Sequence, residues 1–229
     1  MATSNLKLLG MWACPYVNRA QFALKIKSIE YEFIEENPYN RSDILVTSNP
    51  FYKKIPVLIH GDKPICESLI IVQYVDDNWA TGPSTLPSDA YDRALARFWA
   101  AYISDKWYPS PKLLREAQVE DEKTPLTEKI SAGLLLLEEA FVKCSKGKPY
   151  FGGDNIGYLD IVLGSSLAWL KVTEIVVGIK LLDQDKIPTL SGWADRFCSD
   201  EDVKDVLPET EKLLELHEKI QAFVRDGSK

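Results

Sequence analysis

Cys14 is followed by Pro15, and the pair stands between a short apolar run, Leu6-Lys7-Leu8-Leu9, and a longer stretch with helical spacing. Proline suits the first turn of a helix, where its missing N–H is no loss. Cys14 therefore sits at a helix N-terminus, where unpaired backbone N–H groups and the macrodipole favour a thiolate. A cysteine there has two readings: a buried structural thiol, the common fate of free cysteine, or a nucleophile. As a nucleophile it is expected to titrate below the free value of ~8.5, with Arg19 assisting the helix start. The two histidines, His60 and His217, fall at the end of a strand and in the last helix, out of its reach. Val17 stands where a Cys-x-x-Cys loop would carry its second thiol, so a mixed disulfide at Cys14 would need an external thiol for release.

Three further groups carry chemistry. Ile55-Pro56-Val57 opens a strand, and a proline is confined to a strand's start or edge. It is either a plain boundary or a cis proline that presents a backbone edge to an extended peptide. Glu67-Ser68 opens a helix, either as a routine cap or as a carboxylate site. Arg41, Lys53 and Lys54 are solvated charges or the partners of an anion.

The elements that must position these groups divide the chain in two. Residues 1–80 read as strand (6–9), helix (16–27), strand (31–34), a loop with a short helix, a hairpin (57–59 and 64–66) and a helix (67–79). That order, β-α-β then β-β-α, is an α/β plan. A breaker-rich linker occupies 81–88. From 89 to 229 strand signals vanish, and helical spacing runs through 89–106, 125–146, 159–177, 188–198 and 209–225. Tyr108-Pro109-Ser110-Pro111 is expected to kink or break the first of these helices.

Composition narrows the function. The 229 residues carry a net charge of −7. Residues 1–79 hold 8 basic against 9 acidic groups and the remainder 19 against 25, so no basic stripe exists for nucleic acid. Four scattered cysteines and two histidines have no metal-ligand spacing, so no metal is expected. No membrane-length apolar run occurs, and the first residues lack the pattern of a signal peptide, which gives a cytoplasmic expectation with free thiols.

Taken together, these pieces resemble the cytosolic glutathione transferases, and within them the plant tau class. The resemblance spans essentially the whole chain. Its most specific stretches are Leu8 to Tyr16, Lys53 to Leu58 and Cys66 to Ile70, extended by Ala96-Arg97-Phe98-Trp99-Ala100 and Tyr150 to Asn155. It implies the glutathione transferase fold, an α/β thioredoxin-like N-terminal domain plus an all-α C-terminal helical domain, in a homodimer. Glutathione is the implied co-substrate, with a small hydrophobic electrophile or a disulfide as its partner. By resemblance, Glu67 takes the γ-glutamyl ammonium, Ser68 the adjacent carboxylate and the Ile55 backbone, beside Pro56, the cysteinyl unit. Arg41 and Lys54 fall near the glycyl carboxylate. Met11, Trp12, Tyr108, Lys112 and Trp169 fall on the second-substrate wall. One departure stands out: the family's usual catalytic serine is replaced by Cys14, a poor hydrogen-bond donor but a good nucleophile. That favours thiol transfer or dehydroascorbate reduction, with ordinary conjugation or a non-catalytic ligand carrier as alternatives. Gly157 replaces a helix-capping Ser or Thr three residues before Asp160, a departure that implies nothing functional.

Overall fold

The computed structural model describes residues 5–80 and 82–225. Four strands, β1 (Leu6–Gly10), β2 (Glu32–Glu35), β3 (Val57–His60) and β4 (Lys63–Cys66), form one sheet in the order β2-β1-β3-β4. β1 and β2 are parallel, and the remaining pairs are antiparallel. Side chains alternate across a strand, so neighbouring residues enter different cores. Leu8 and Leu58 face the core that contains α1 (Pro15–Ile26) and α3 (Ser68–Asn78), whereas Leu9 and Val57 pack with Leu45 of α2 (Asp43–Ser48).

The rest is helical: α4 (Ala90–Tyr102), a π-helical turn (Ile103–Trp107), α5 (Pro109–Glu116), α6 (Glu120–Ser145), α7 (Tyr158–Gly164), α8 (Leu167–Val177), α9 (Pro188–Ser199) and α10 (Thr210–Arg225). Three details depart from the sequence reading. The prolines at 109 and 111 do more than break a helix: they start α5, whose first N–H groups need no partner. α6 begins at Glu120 and carries Pro125 inside it. The helix expected over 159–177 is two helices, parted at Ser165 and Ser166, whose hydroxyls donate to the Val162 and Leu163 carbonyls at 2.9 and 2.6 Å.

Two buried carboxylates fix the frame. Asp76 pairs with Lys27 at 2.9 Å and accepts from the Ser84 hydroxyl and the N–H groups of Thr85 and Leu86, which ties the linker to α1 and α3. Burial opposes its ionisation, but those four donors outweigh it and hold the carboxyl below its usual range. Asp160 accepts from the N–H groups of Phe151, Gly152 and Gly157 and from the Trp193 indole, all within 2.7–2.9 Å. Burial pushes its pKa up to about 6 despite these donors.

Candidate functional site

β1 ends at Gly10, where a Cβ would sit 2.5 Å from a Val17 methyl, so only glycine lets α1 return this close to the sheet. The loop that follows closes with the Cys14 N–H on the Met11 carbonyl at 2.9 Å. Cys14 is the N-cap of α1, in extended conformation, and its carbonyl accepts from Val17 and Asn18 at 2.9 and 3.0 Å. The thiol is half-buried. Burial raises its pKa above the ordinary value, and the opposing pull of the Val17 and Tyr16 N–H groups and of Arg19 is insufficient. Desolvation thus opposes the expected depression: the helix start contributes in the expected direction, and burial outweighs it.

α3 opens on Glu67, which adopts φ +73°, a conformation side chains rarely take. Its carbonyl accepts from Ile70 and Ile71 at 2.9 and 2.8 Å, and Ser68 beside it is buried. The Ile55–Pro56 peptide is cis. A cleft of about 490 Å³ brings Lys54, Ile55, Pro56, Glu67 and Ser68 together, with Tyr16, Arg19, Asn49, Ser104 and Asp105 among the other walls. Arg41 is exposed on the loop before α2, outside that lining. Cys14 itself is not among the lining residues, whereas Tyr16, two residues on, is.

Arg19 is the least legible of the cleft residues in sequence. It is 1% exposed and has no carboxylate partner among the described ion pairs. Its Nε donates to Ser165 at 3.1 Å, and Nη1 donates to Ser68 and Ser104 at 3.3 and 3.0 Å. The guanidinium lies 4.8 Å from the Tyr16 ring centre. Burial lowers its pKa, yet an arginine stays charged in proteins. An uncompensated cation thus stands behind Ser68. Because the Ser68 oxygen accepts from Arg19, its own hydrogen is free to donate into the cleft. Ser165 and Ser104 lie about 146 and 85 residues away in sequence, so no local pattern announces the network.

On the other side of the Cys14 loop, Met11 packs with Ala13, Trp169, Val172 and Leu213. Trp169 is buried and its indole donates to the Ala13 carbonyl at 2.7 Å, so it props the loop from beneath. Arg115 lies 4.6 Å from the Trp169 ring centre and donates to Thr173 at 2.6 Å. Trp12 is exposed, Tyr108 meets Tyr16 edge-on at 5.7 Å, and Lys112 is exposed in a pair with Glu116. Burial raises the Tyr108 hydroxyl far above its usual range. The end of α10 reaches over to the N-terminal domain, with Phe223 5.2 Å from Tyr39.

Among the described residues no group of His, Cys, Asp or Glu could hold a metal ion, and no helix is long and apolar enough to cross a membrane. Residues 4–77 match the glutathione S-transferase N-terminal domain family and residues 91–201 its C-terminal domain family. The chain is 55% identical to glutathione S-transferase U17 of Arabidopsis thaliana, over 96% of this chain and 97% of the relative. It superposes on a tau class glutathione S-transferase from mango, Mangifera indica, with a TM-score of 0.91 and 57% identity, covering 95% of this chain and 99% of that one. A rice relative in complex with glutathione is 32% identical, with a TM-score of 0.87 over 97% and 98% of the two chains. A hydroxyl-lined cleft at the starts of α1 and α3, backed by a helical domain, is thus the cleft of a glutathione S-transferase, and the chain belongs to that family, in its tau class.

Proposed function

We propose that this transferase binds glutathione in the cleft at the start of α3 and transfers it by thiol–disulfide exchange through Cys14. Glu67 accepts the γ-glutamyl ammonium. Ser68, polarised by Arg19, donates to the adjacent carboxylate, and the Ile55 backbone beside Pro56 pairs with the cysteinyl unit. Lys54 meets the glycyl carboxylate, with Arg41 as a more distant charge. Met11, Trp12, Tyr108 and Lys112 border the second substrate, while Trp169 acts from beneath. The Cys14 thiolate attacks the glutathione sulfur of a mixed disulfide, forming a Cys14–glutathione disulfide and expelling the partner thiolate, which takes a proton. A second glutathione thiolate then attacks that bond, releasing oxidised glutathione and regenerating Cys14. The observation that carries this reading is a cysteine in the N-cap position, facing the Tyr16 and Val17 N–H groups.

Cys14→Ser removes the nucleophile and supplies a hydroxyl donor. It is expected to abolish transfer from a glutathione mixed disulfide and to raise conjugation of an aromatic halide. A serine variant that kept its transfer rate would sink the proposal. The raised thiol pKa favours a second reading, conjugation with Cys14 as a neutral, weak donor. In that case the wild-type enzyme conjugates faster than it exchanges.

The functional unit is proposed to be a cytoplasmic homodimer. Ile70, Tyr91 and Phe98 are more than half exposed, on α3 and α4, and they support a self-association face. A single 25.9 kDa species in sedimentation at micromolar concentration would refute the dimer.

A further inference from the structure

The Arg115 guanidinium leaves one edge open. Its three hydrogen bonds all start from Nη1, to the carbonyls of Pro111 and Trp169 at 3.3 Å and to the Thr173 hydroxyl at 2.6 Å. Together with the Trp169 ring, 4.6 Å away, they fix its orientation. Nε and Nη2 have no partner among the described residues. Neither is buried, because the buried polar side-chain atoms left unpartnered there are the Thr85 and Ser110 hydroxyls. The N–H groups of Nε and Nη2 run parallel, and such a pair meets both oxygens of a carboxylate. The acid next in sequence does not supply one, since Glu116 pairs with Lys112 at 3.7 Å.

That edge belongs to the wall opposite the glutathione cleft. Tyr108, Lys112 and Arg115 are spaced i, i+4 and i+7, so they share one face of α5 and its cap. Beneath Arg115, the Trp169 indole holds the Ala13 carbonyl at 2.7 Å, beside Cys14. On α10, His217 is half-buried. Burial and then the Arg115 charge lower its pKa, against the pull of Glu116 and Glu218. Arg115 is thus surrounded by aromatic rings and by a histidine whose charged form it disfavours, with no anion matched to it.

We propose that Arg115 determines specificity in the second-substrate wall, its Nε–Nη2 edge selecting a carboxylate carried on an aromatic body. The proposal rests on the reading that the second substrate lies over Met11, Trp12 and α5, and it is independent of the chemistry at Cys14. A partly buried cation gains most from a partner that makes two charge-assisted bonds. Lys112, exposed and already paired, contributes little.

The test uses the full chain saturated with glutathione, which keeps the probes out of that cleft. Calorimetry compares 2-naphthoate with 2-naphthamide, an uncharged molecule of nearly the same shape. We expect the naphthoate to bind about tenfold or more tighter, the effect of charge-assisted bonds. Arg115→Met should bring the two affinities within about twofold, the preference having lost its charged donor. Arg115→Lys keeps the charge without the fork and should retain part of the preference, and Lys112→Met should leave it nearly whole. A second readout needs no variant, and it decides even where the methionine variant fails to fold. The chain has two histidines, whose ring signals are followed by nuclear magnetic resonance. Naphthoate should raise the titration midpoint of His217, because a neighbouring carboxylate favours the imidazolium; the amide should not, and His60 should stay in place. Equal affinity for the two probes, a preference that survives in Arg115→Met, or an unmoved His217 midpoint would each overturn the proposal. Failure of both probes to bind would overturn it together with the placement of the second substrate, whereas binding without preference would leave that placement standing.

Discussion

Arg19 and Arg115 flank the Cys14 loop from opposite sides, and both lie against an aromatic face without a carboxylate partner among the described ion pairs. Burial lowers the pKa of each. What differs is the set of groups they hold. Arg19 donates to three hydroxyls from both domains, on α3, the π-helical turn and the α7–α8 break. Arg115 donates to Pro111, Trp169 and Thr173, all in the helical domain. Each Arg19 acceptor is a hydroxyl that keeps a hydrogen to donate elsewhere, whereas Arg115 holds two carbonyls and one hydroxyl, and that hydroxyl donates back to the Trp169 carbonyl. Arg19 thus serves the ligand cleft, and Arg115 serves the tryptophan that supports the loop.

Replacing each arginine by methionine tests that division. Arg19→Met should raise the glutathione dissociation constant about tenfold or more, since bonds involving charged groups are worth ~1.5–3 kcal/mol. Its stability should change by no more than ~1–2 kcal/mol in urea, because losing three bonds is offset by removing a desolvated charge. Arg115→Met should change glutathione affinity less than about threefold, as expected for a residue that touches no cleft group. Equal losses of affinity, measured by calorimetry, would erase the distinction.

A second pair sharpens it within the cleft. In the proposed binding mode Glu67 and Ser68 meet both charges of the γ-glutamyl group at a helix start, while Lys54 is exposed. Exposed ion pairs contribute only ~0–1 kcal/mol. Glu67→Ala should therefore weaken glutathione binding further than Lys54→Ala, and equal losses would count against the ordering.

The third test reads Cys14 by pH. Its alkylation rate should rise with a midpoint above the ordinary thiol value, because burial disfavours the thiolate. Arg19 pulls that midpoint down, so Arg19→Met should move it further up, and Arg115→Met should leave it in place. A midpoint below the ordinary value would restore the activated thiolate that the sequence suggests.

That thiolate shows where sequence stops informing. The Cys14-Pro15 pair, the Pro56 strand start and the Glu67-Ser68 helix start were legible because each is a local signal, set by turn and cap chemistry. The strand and helix order followed for the same reason. Desolvation of Cys14 depends on packing, which no spacing reveals. In sequence Arg19 is only a charge near Cys14, since its partners are distant along the chain. Asp160 shows the same limit: the Gly157 departure beside it implies nothing functional in sequence, yet the carboxylate's four donors come from three separate segments. The prolines at 109 and 111 are ambiguous in sequence, since the residue that breaks one helix equally begins another, here α5.

The smallest expected effect is the most selective. Thr173 is fully buried; its hydroxyl accepts from Arg115 at 2.6 Å and donates to the Trp169 carbonyl at 2.8 Å. Thr173→Val removes both bonds and keeps the volume. Arg115 retains the Pro111 and Trp169 carbonyls and its place on the indole, so the cost should be about 1 kcal/mol, that of a typical hydrogen bond. Ser165→Ala is the counterpart on the other side: it removes an acceptor of Arg19 and a bond to Val162, for a similar loss of stability. The two should part in function. Ser165→Ala disturbs the guanidinium that polarises Ser68 and should weaken glutathione binding by about two- to threefold, a fraction of the ~1.5–3 kcal/mol of a charged bond. Thr173→Val should leave binding unchanged at the same loss of urea midpoint. If the threonine variant weakened binding as much as the serine variant, the two guanidiniums would be coupled through the Cys14 loop instead of serving separate sides of it.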